Sequence, residues 1–416
     1  MSLTPIERHK YSEFIVSLAV EIYVLSECGL RKTVKIIELL NEKLGWKLDE
    51  IPCYNSIENW LKKSGYHTYL NSELKDKKAT HSLITDESIL LGKEKLILSL
   101  GIKAKKDTPT ALNYSDTEVV GIHVDSNWNS DSIKKAFETD EKKMGKSPLY
   151  IISDNDSKLK KAISAYDCIH IRDVGHTVAM FFKQVYSKED DFVAFSKRIG
   201  RLKIESAMSD CSYLLPPRQR GIARFMNLSD TVFWASKMMG CFDKLTEKEK
   251  EVFGFIFDYK ELTAELEALL KSTNNLLLKI KTEGLSRKSI KASISLINEL
   301  PKGKSRRIDK VISHLTKYLK EERLKLKKGA VWNASSDIIE STFGMYKSRI
   351  SKNSLHGITS YVLILPLMSK INAERTHVDI NFKTALEEIY MRDLHQWKME
   401  NLTENQTIKR RNVLSA

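Results

Sequence analysis

Three carboxylates in three different local contexts carry the most chemistry in this chain. Asp86 sits inside an apolar, strand-like run, His81-Ser-Leu-Ile-Thr-Asp86-Glu-Ser. Asp154 ends a second such run, Leu149-Tyr-Ile-Ile-Ser-Asp154. Glu340 lies early in an amphipathic helical stretch, Asp337-Ile-Ile-Glu340-Ser-Thr-Phe-Gly-Met-Tyr-Lys347. A strand carboxylate, a strand-end carboxylate and a late helical carboxylate could converge at one edge of a mixed sheet and hold two divalent cations. Hard cations of the magnesium type take oxygen ligands, and a two-metal site clamps the attacking and leaving oxygens of a phosphodiester. The chemistry this set points to is the cutting or joining of nucleic acid.

Each carboxylate also has a plainer reading. Asp86 could sit on the solvated face of an edge strand, but Ile84, Ile89 and the long apolar strand that follows argue for a central position. There an unpaired carboxylate is costly, and metal binding relieves the cost. Its neighbour Glu87 should point to the opposite face. Asp154 could cap the helix that follows, yet Asp156 and Ser157 lie closer to the helix start and suit capping better. Asp125, ending the third strand, is the main competitor for a ligand position. Glu340 could close a capping box with Asp337, unless Ser335 or Ser336 caps instead. Lys347, seven residues on, shares the helix face of Glu340 and is a candidate phosphate contact.

The elements that would position these residues follow from periodicity. Residues 6–70 read as helical, with Ile15, Leu18, Ala19, Ile22 and Tyr23 on one face and Val34, Ile37, Leu40 and Leu44 on another. Tyr54–Lys63 reads as a short helix opened by Asn55 or Ser56. Helix, turn and exposed polar helix is how a major-groove reader is built, and Asn55, Glu58, Asn59 and Lys62 would face the bases. Ser82–Ser88, Lys95–Ile102 and Glu118–Val124 then read as a three-strand meander. Asp131–Phe137 reads as a helix, Leu149–Ser153 as a strand, Ser157–Ala165 as a helix and Cys168–Arg172 as a strand. Three strands in a row followed by alternating helix and strand is the order of the ribonuclease-H-like fold.

From Thr177 to about Lys328 nearly everything is helical, too long for a connection inside a sheet domain. It reads as an inserted helical domain. The expected division is residues 1–75 helical and helix-turn-helix-like, 76–195 the first part of an α/β core with a mixed five-stranded sheet, 196–330 the helical insertion, 331–395 the last part of the core, and 396–416 a polar tail.

Composition sets the outer limits. Charged residues make up 29% and hydrophobic ones 42% of 416 residues, which describes a soluble globular chain of more than one domain. No apolar run approaches the roughly 18–20 residues of a membrane helix, and the start lacks a secretory pattern, so the expected location is the cytoplasm. The five cysteines are dispersed and odd in number, which argues against a disulfide framework or a zinc site. Lys plus Arg number 68 against 54 acids, an excess of +14 that favours a polyanionic partner. Lys302–Lys328 alone holds eleven Lys/Arg and three acids. Arg218, Arg220 and Arg224 cluster around Pro216-Pro217 and suit either phosphate contact or helix capping, while Phe233 and Trp234 read as core of the helical region.

The chain resembles the DDE transposases of bacterial insertion sequences. The matching segments are Asp86-Glu-Ser-Ile-Leu-Leu-Gly-Lys-Glu-Lys-Leu, Ile152-Ser-Asp154-Asn-Asp-Ser-Lys-Leu-Lys-Lys, Asp173-Val-Gly-His176 and Ile338-Ile-Glu340-Ser-Thr-Phe-Gly-Met-Tyr-Lys347. The resemblance covers roughly residues 76–390. It implies a ribonuclease-H-like catalytic core in which Asp86, Asp154 and Glu340 form the metal-binding triad, with two Mg²⁺ ions or Mn²⁺ in their place. It also implies a supporting role for His176, and double-stranded DNA, both element ends and target, as partner. Pairing two ends implies at least a homodimer on DNA, and a nucleoid-associated protein with no membrane contact. The implied activity is nicking at the element's ends followed by transfer of the 3′-hydroxyl into target DNA. The competing expectation is a non-catalytic DNA-binding regulator or domesticated relative that keeps the fold and the basic surface.

Overall fold

The central element is β1, His81–Leu91, whose neighbouring residues Leu83 and Ile84 point to opposite faces and are both fully buried. A strand covered on both faces must lie inside a sheet. β1 pairs antiparallel with β2, Glu94–Lys103, and β2 pairs antiparallel with β3, Thr117–Asp125. On its other side β1 pairs in parallel with β4, Tyr150–Ser153, and β5, Ile169–Arg172, forms the far edge. The order is β3-β2-β1-β4-β5, a mixed five-stranded sheet in an α/β fold, consistent with a ribonuclease-H-like core. In this computed structural model the described residues are 4–74, 76, 78–91, 94–217, 225–350, 357–373, 380–402, 410 and 413–415.

The chain folds as two compact units. The first comprises Met1–Ala104, Leu112–His170 and Ser336–Ala416, the second Lys105–Ala111 and Ile171–Ser335. In the first unit, three N-terminal helices, α1 (Glu13–Leu25), α2 (Leu30–Leu44) and α3 (Tyr54–Leu70), pack pairwise on one another. Helices α4 (Ser130–Met144) and α5 (Ser157–Ala165) cover one sheet face. Leu83, Ile97 and Ile151 from the sheet meet Ile133 and Phe137 of α4 and Leu159 and Ile163 of α5 there. Gly121 of β3 lets α4 approach, since a Cβ would run into the Asp140 carboxylate, which accepts from His123 Nε2 at 2.7 Å.

The second unit, apart from the end of β5, is helical. It contains α6 (Val174–Tyr186), α7 (Asp190–Glu205), α8 (Leu228–Gly240), α9 (Glu247–Phe253), α10 (Lys260–Glu283), α11 (Arg287–Asn298) and α12 (Arg306–Lys325). Helix α6 packs on α10 and α12, and α11 packs on both of those. Trp234 belongs to this unit's interior, with its indole N–H donating to the Leu214 carbonyl at 2.8 Å and its ring edge-on to Phe253. After the second unit the chain completes the first with α13 (Asp337–Arg349), α14 (Ile364–Ala373), α15 (Phe382–Glu388) and α16 (Met391–Asn401).

Two expected boundaries move. The helical unit begins at Ile171 rather than at residue 196, because Arg172 and α6 bury their side chains among α10 and α12. The N-terminal helices do not separate from the sheet as a domain of residues 1–75. The reason is α3, which is 17 residues long rather than ten and packs on α14, α15 and α16 as well as on α1 and α2. Its buried residues Ile57, Trp60, Leu61, Ser64 and Gly65 make it a core helix. At Gly65 a Cβ would overlap the backbone carbonyl of Leu363. Gly65→Ala should therefore destabilise the first unit by at least about 2 kcal/mol in urea unfolding, because backbone rather than a movable side chain is in the way.

Lys143 supplies a second stability test. Its ammonium lies 3.0 Å from the centre of the Tyr69 ring, near Asp140, and burial pushes its pKa down to about 7 against the pull of Asp140. An unfolded lysine titrates at about 10.4. Between those values the unfolded chain holds a proton that the folded one lacks, so this group's contribution to stability rises with pH across the window. Lys143→Met should flatten that rise in unfolding curves recorded at pH 7 and pH 9.

Candidate active site

The parallel pairing of β1 with β4 decides what becomes of two of the three carboxylates. Leu83 pairs with Ile151 and Ile84 with Ile152. Carried two residues further, the same register sets Asp86 level with Asp154, on adjacent strands about 4.8 Å apart. Leu83 and Ile151 point into the α4 and α5 face. Alternation therefore puts Ile84, Asp86 and, one residue past its strand end, Asp154 on the other face. Glu87 takes the opposite side, as expected, and accepts a bond from Lys95 Nζ at 2.5 Å. Asp86 and Asp154 are both half-buried.

Local bonds fix how each is presented. One carboxylate oxygen of Asp86 accepts the N–H of Glu87 at 2.8 Å. One oxygen of Asp154 accepts the N–H of Asp156 at 2.9 Å, which turns the chain sharply at the strand end. Asp156 itself is the cap of α5, accepting the N–H groups of Lys158 at 2.8 Å and Leu159 at 3.3 Å. Asp156, as anticipated, and not Asp154, is therefore the cap of α5. Asp125 accepts the N–H of Asn127 at 2.9 Å at the end of β3, with β2 between it and β1. Two strand spacings and three residues of offset separate it from Asp86 by roughly 14 Å.

Glu340 lies in the first turn of α13, a helix that packs on β1 and α14. Ser336 is the N-cap residue, and its carbonyl takes the N–H groups of Ile339 and Glu340. That makes Glu340 the fourth helical residue, one too far for a capping box, which needs the third. Ile338, Ile339, Thr342, Phe343 and Tyr346 face inward, leaving Glu340, Gly344 and Lys347 on the exposed stripe. Lys347 thus shares the face of Glu340, with its Nζ 5.4 Å from the centre of the Phe343 ring. A further bond steadies this turn: the Tyr114 hydroxyl meets Ser341 Oγ at 2.6 Å. Tyr114 opens a short 3-10 turn, Tyr114–Asp116, 227 residues earlier, and no local pattern marks it as a partner of Ser341.

Three oxygen donors of this kind suit a hard divalent cation and no softer metal. Strand pairing aligns two of them, and the third comes from a helix packed on the same strand. Among the described residues no group of three or more His, Cys, Asp or Glu side chains is arranged so that it could hold a metal ion. The five cysteines are all free.

The remaining predicted residues fall into different settings. His176 is in the first turn of α6, in the second unit, where Asp173 accepts its backbone N–H at 2.6 Å and contacts its ring Nδ1 at 3.1 Å. On α3, Asn55 is exposed and Asn59 half-buried, while Lys62 is only 17% exposed and bridges to Glu58 at 2.5 Å. The expected polar reading face along α3 is therefore confined to its first turn, because the rest of the helix is packed. Arg218, Arg220 and Arg224 lie outside the described residues. In the basic stretch of α12, Arg307 is held by Asp191 and Glu265 at 2.7–2.8 Å, and Lys325 by Glu322 at 2.8 Å. Lys310, Lys317 and Lys320 remain exposed. Among the described residues, no helix is long and apolar enough to cross a membrane.

No protein-family model matches the chain, and no curated protein matches it in sequence. The geometry has to be read on its own terms.

Asp154 and Asp156 offer a direct check of their roles. Asp156→Ala should cost about 1 kcal/mol of stability through loss of the α5 cap. Asp154→Asn, which keeps an oxygen for the Asp156 N–H, should leave the unfolding midpoint close to that of the parent.

Proposed function

We propose that the chain is a DNA-cutting and DNA-joining enzyme of the DDE transposase type. The observation that carries the reading is the level placement of Asp86 and Asp154 by the parallel β1–β4 register, on the sheet face away from α4 and α5. Two carboxylates brought level in this way can share a hard divalent cation. Asp86, Asp154 and Glu340 would hold two Mg²⁺ ions, with Glu340 brought in from the exposed stripe of α13 when metal and DNA bind. Ions there would activate an attacking water and neutralise the charge that develops on the phosphodiester oxygens.

The chain's own residues would do the rest. Lys347, on the same stripe as Glu340, would take a non-bridging phosphate oxygen and hold the scissile phosphate in line. Water attack breaks the phosphorus–oxygen bond at the element's end and leaves a 3′-hydroxyl there. That hydroxyl then attacks a target phosphodiester, so one bond forms as another breaks and no protein nucleophile is required. The helical unit of residues 171–335 corresponds to an insertion between the second and third acidic residues. Its lysines on α12 would hold DNA through phosphates, which position a duplex without reading it. Sequence reading would rest on the first turn of α3 around Asn55, with at least a dimer pairing the two ends.

Two measurements test this. With a supercoiled plasmid carrying the DNA that flanks the gene, Mg²⁺-dependent nicking should appear in the parent and fall at least about 100-fold in Asp86→Asn, Asp154→Asn and Glu340→Gln, each still folded and DNA-binding. Nicking that survives any one substitution removes that residue from the site. Binding without nicking in the parent would instead identify a non-catalytic DNA-binding regulator. Replacing Lys304, Lys310, Lys317 and Lys320 with Gln should weaken binding to all sequences and reduce the salt slope by up to about 4.

A further inference from the structure

Helix α13 contributes to a second feature besides Glu340. Two turns on, its Tyr346 and Arg349 line a cavity of about 650 Å³ within the first unit, together with Tyr23, Arg31, Lys32 and Tyr54. The size falls in the range of small-molecule sites, about 300–1,000 Å³. Aromatic rings form part of the wall, Arg31 and Lys32 stand at the rim, and Glu58, paired with Lys62 at 2.5 Å, also lines the cavity. Tyr23 and Tyr346 are almost wholly buried, whereas Tyr54 is 42% exposed at the rim. Arg31 and Lys32 are exposed in the first turn of α2, and the guanidinium of Arg31 lies over the Tyr54 ring at 5.4 Å.

Structural duties account for some of this lining and not for the rest. Arg349 donates to the carbonyls of Cys28 at 2.9 Å and Val24 at 3.1 Å, closing the end of α1. The hydroxyls of Tyr23 and Tyr361 bond each other. Tyr346 differs: it is 1% exposed and lines the cavity. A phenol hydroxyl on a cavity wall can donate to or accept from a ligand. Arg31 and Lys32 form no ion pair among the described residues, although they stand beside an aromatic wall.

We propose that this cavity is a nucleotide-binding site. A nucleotide is a planar ring bearing a phosphate, and it matches the two halves of the lining. The ring would lie among Tyr23, Tyr54 and Tyr346, where stacking is tolerant of base identity. The phosphate would sit at Arg31 and Lys32, and the Tyr346 hydroxyl would bond a polar edge of the base or sugar. The same unit of chemistry is offered by a free mononucleotide and by an unpaired nucleotide of a DNA strand. The proposal goes beyond the metal-dependent reading above and does not depend on it, since none of these residues is a carboxylate of the triad.

Isothermal titration calorimetry on the full-length protein without added metal tests it. The probes are dAMP, deoxyadenosine, inorganic phosphate and a short single-stranded oligonucleotide with a 5′-phosphate. The expected result is one saturable site for dAMP or for the oligonucleotide, with phosphate and deoxyadenosine each at least about tenfold weaker. Binding of dAMP at least as tight as that of the oligonucleotide assigns the site to free nucleotides, and the reverse assigns it to a strand. Arg31→Ala with Lys32→Ala should weaken the tighter probe at least about tenfold. Tyr346→Phe, which removes only the hydroxyl, should weaken it about threefold or more. No saturable binding of either nucleotide probe overturns the proposal. So does phosphate binding as tightly as dAMP, or nucleotide affinity that survives both sets of substitutions.

Discussion

The parallel pairing of β1 with β4 is the constraint on which the rest of the first unit depends. It joins residues 68 positions apart (151 − 83), and its extension by two residues sets Asp86 level with Asp154. Parallel neighbours cannot be joined by a tight turn, so a crossover must run between them. Here β3 leads out to the far edge and α4 returns across the sheet. That return fills one face with Ile133 and Phe137 and leaves the opposite face to Ile84, Asp86 and the helices that follow. Gly121 matters for the same reason, since α4 comes so close to β3 that no side chain fits between the strand and Asp140.

A second constraint is the close approach at Gly65. Helix α3 meets the segment around Leu363 with no room for a Cβ, and it packs on α14, α15 and α16. A helix held on so many sides is an interior element, whatever its polar content. The N-terminal and C-terminal parts of the chain therefore close one core together. Any DNA-reading role for this region has to work through the exposed first turn of α3 and not through the helix as a whole.

The formal charge of +14 says less about free surface than its size implies. Arg172 lies between Glu322 at 2.7 Å and Glu321 at 2.8 Å, over the Tyr318 ring. Arg307 joins Asp191, Glu265 and the Tyr186 ring in the same manner. Removing one partner from such a cluster would leave a buried charge uncompensated. These arginines hold the helical unit together, whereas Lys310, Lys317 and Lys320 of α12 stay exposed.

What the sequence determined by itself was the set of elements. Alternation and helical spacing located all five strands to within a few residues, and α2 at Leu30–Leu44, because each element's pattern is written within its own residues. The preference for Asp156 over Asp154 as cap was equally legible, since capping is decided within three residues. Only the tertiary structure decided the rest. The length and burial of α3 depended on C-terminal partners more than 290 residues away, and nothing local distinguishes a packed polar helix from an exposed one. Which of eleven basic residues in one stretch are neutralised was set by acids on other helices. The cavity beside Tyr346 is lined by residues of α1, α2, α3 and α13 and of the segment Gly357–Tyr361, each of which reads as ordinary on its own. Local patterns are fixed by the backbone's short-range geometry, whereas burial, pairing and cavities come from contacts between segments that the chain brings together only on folding.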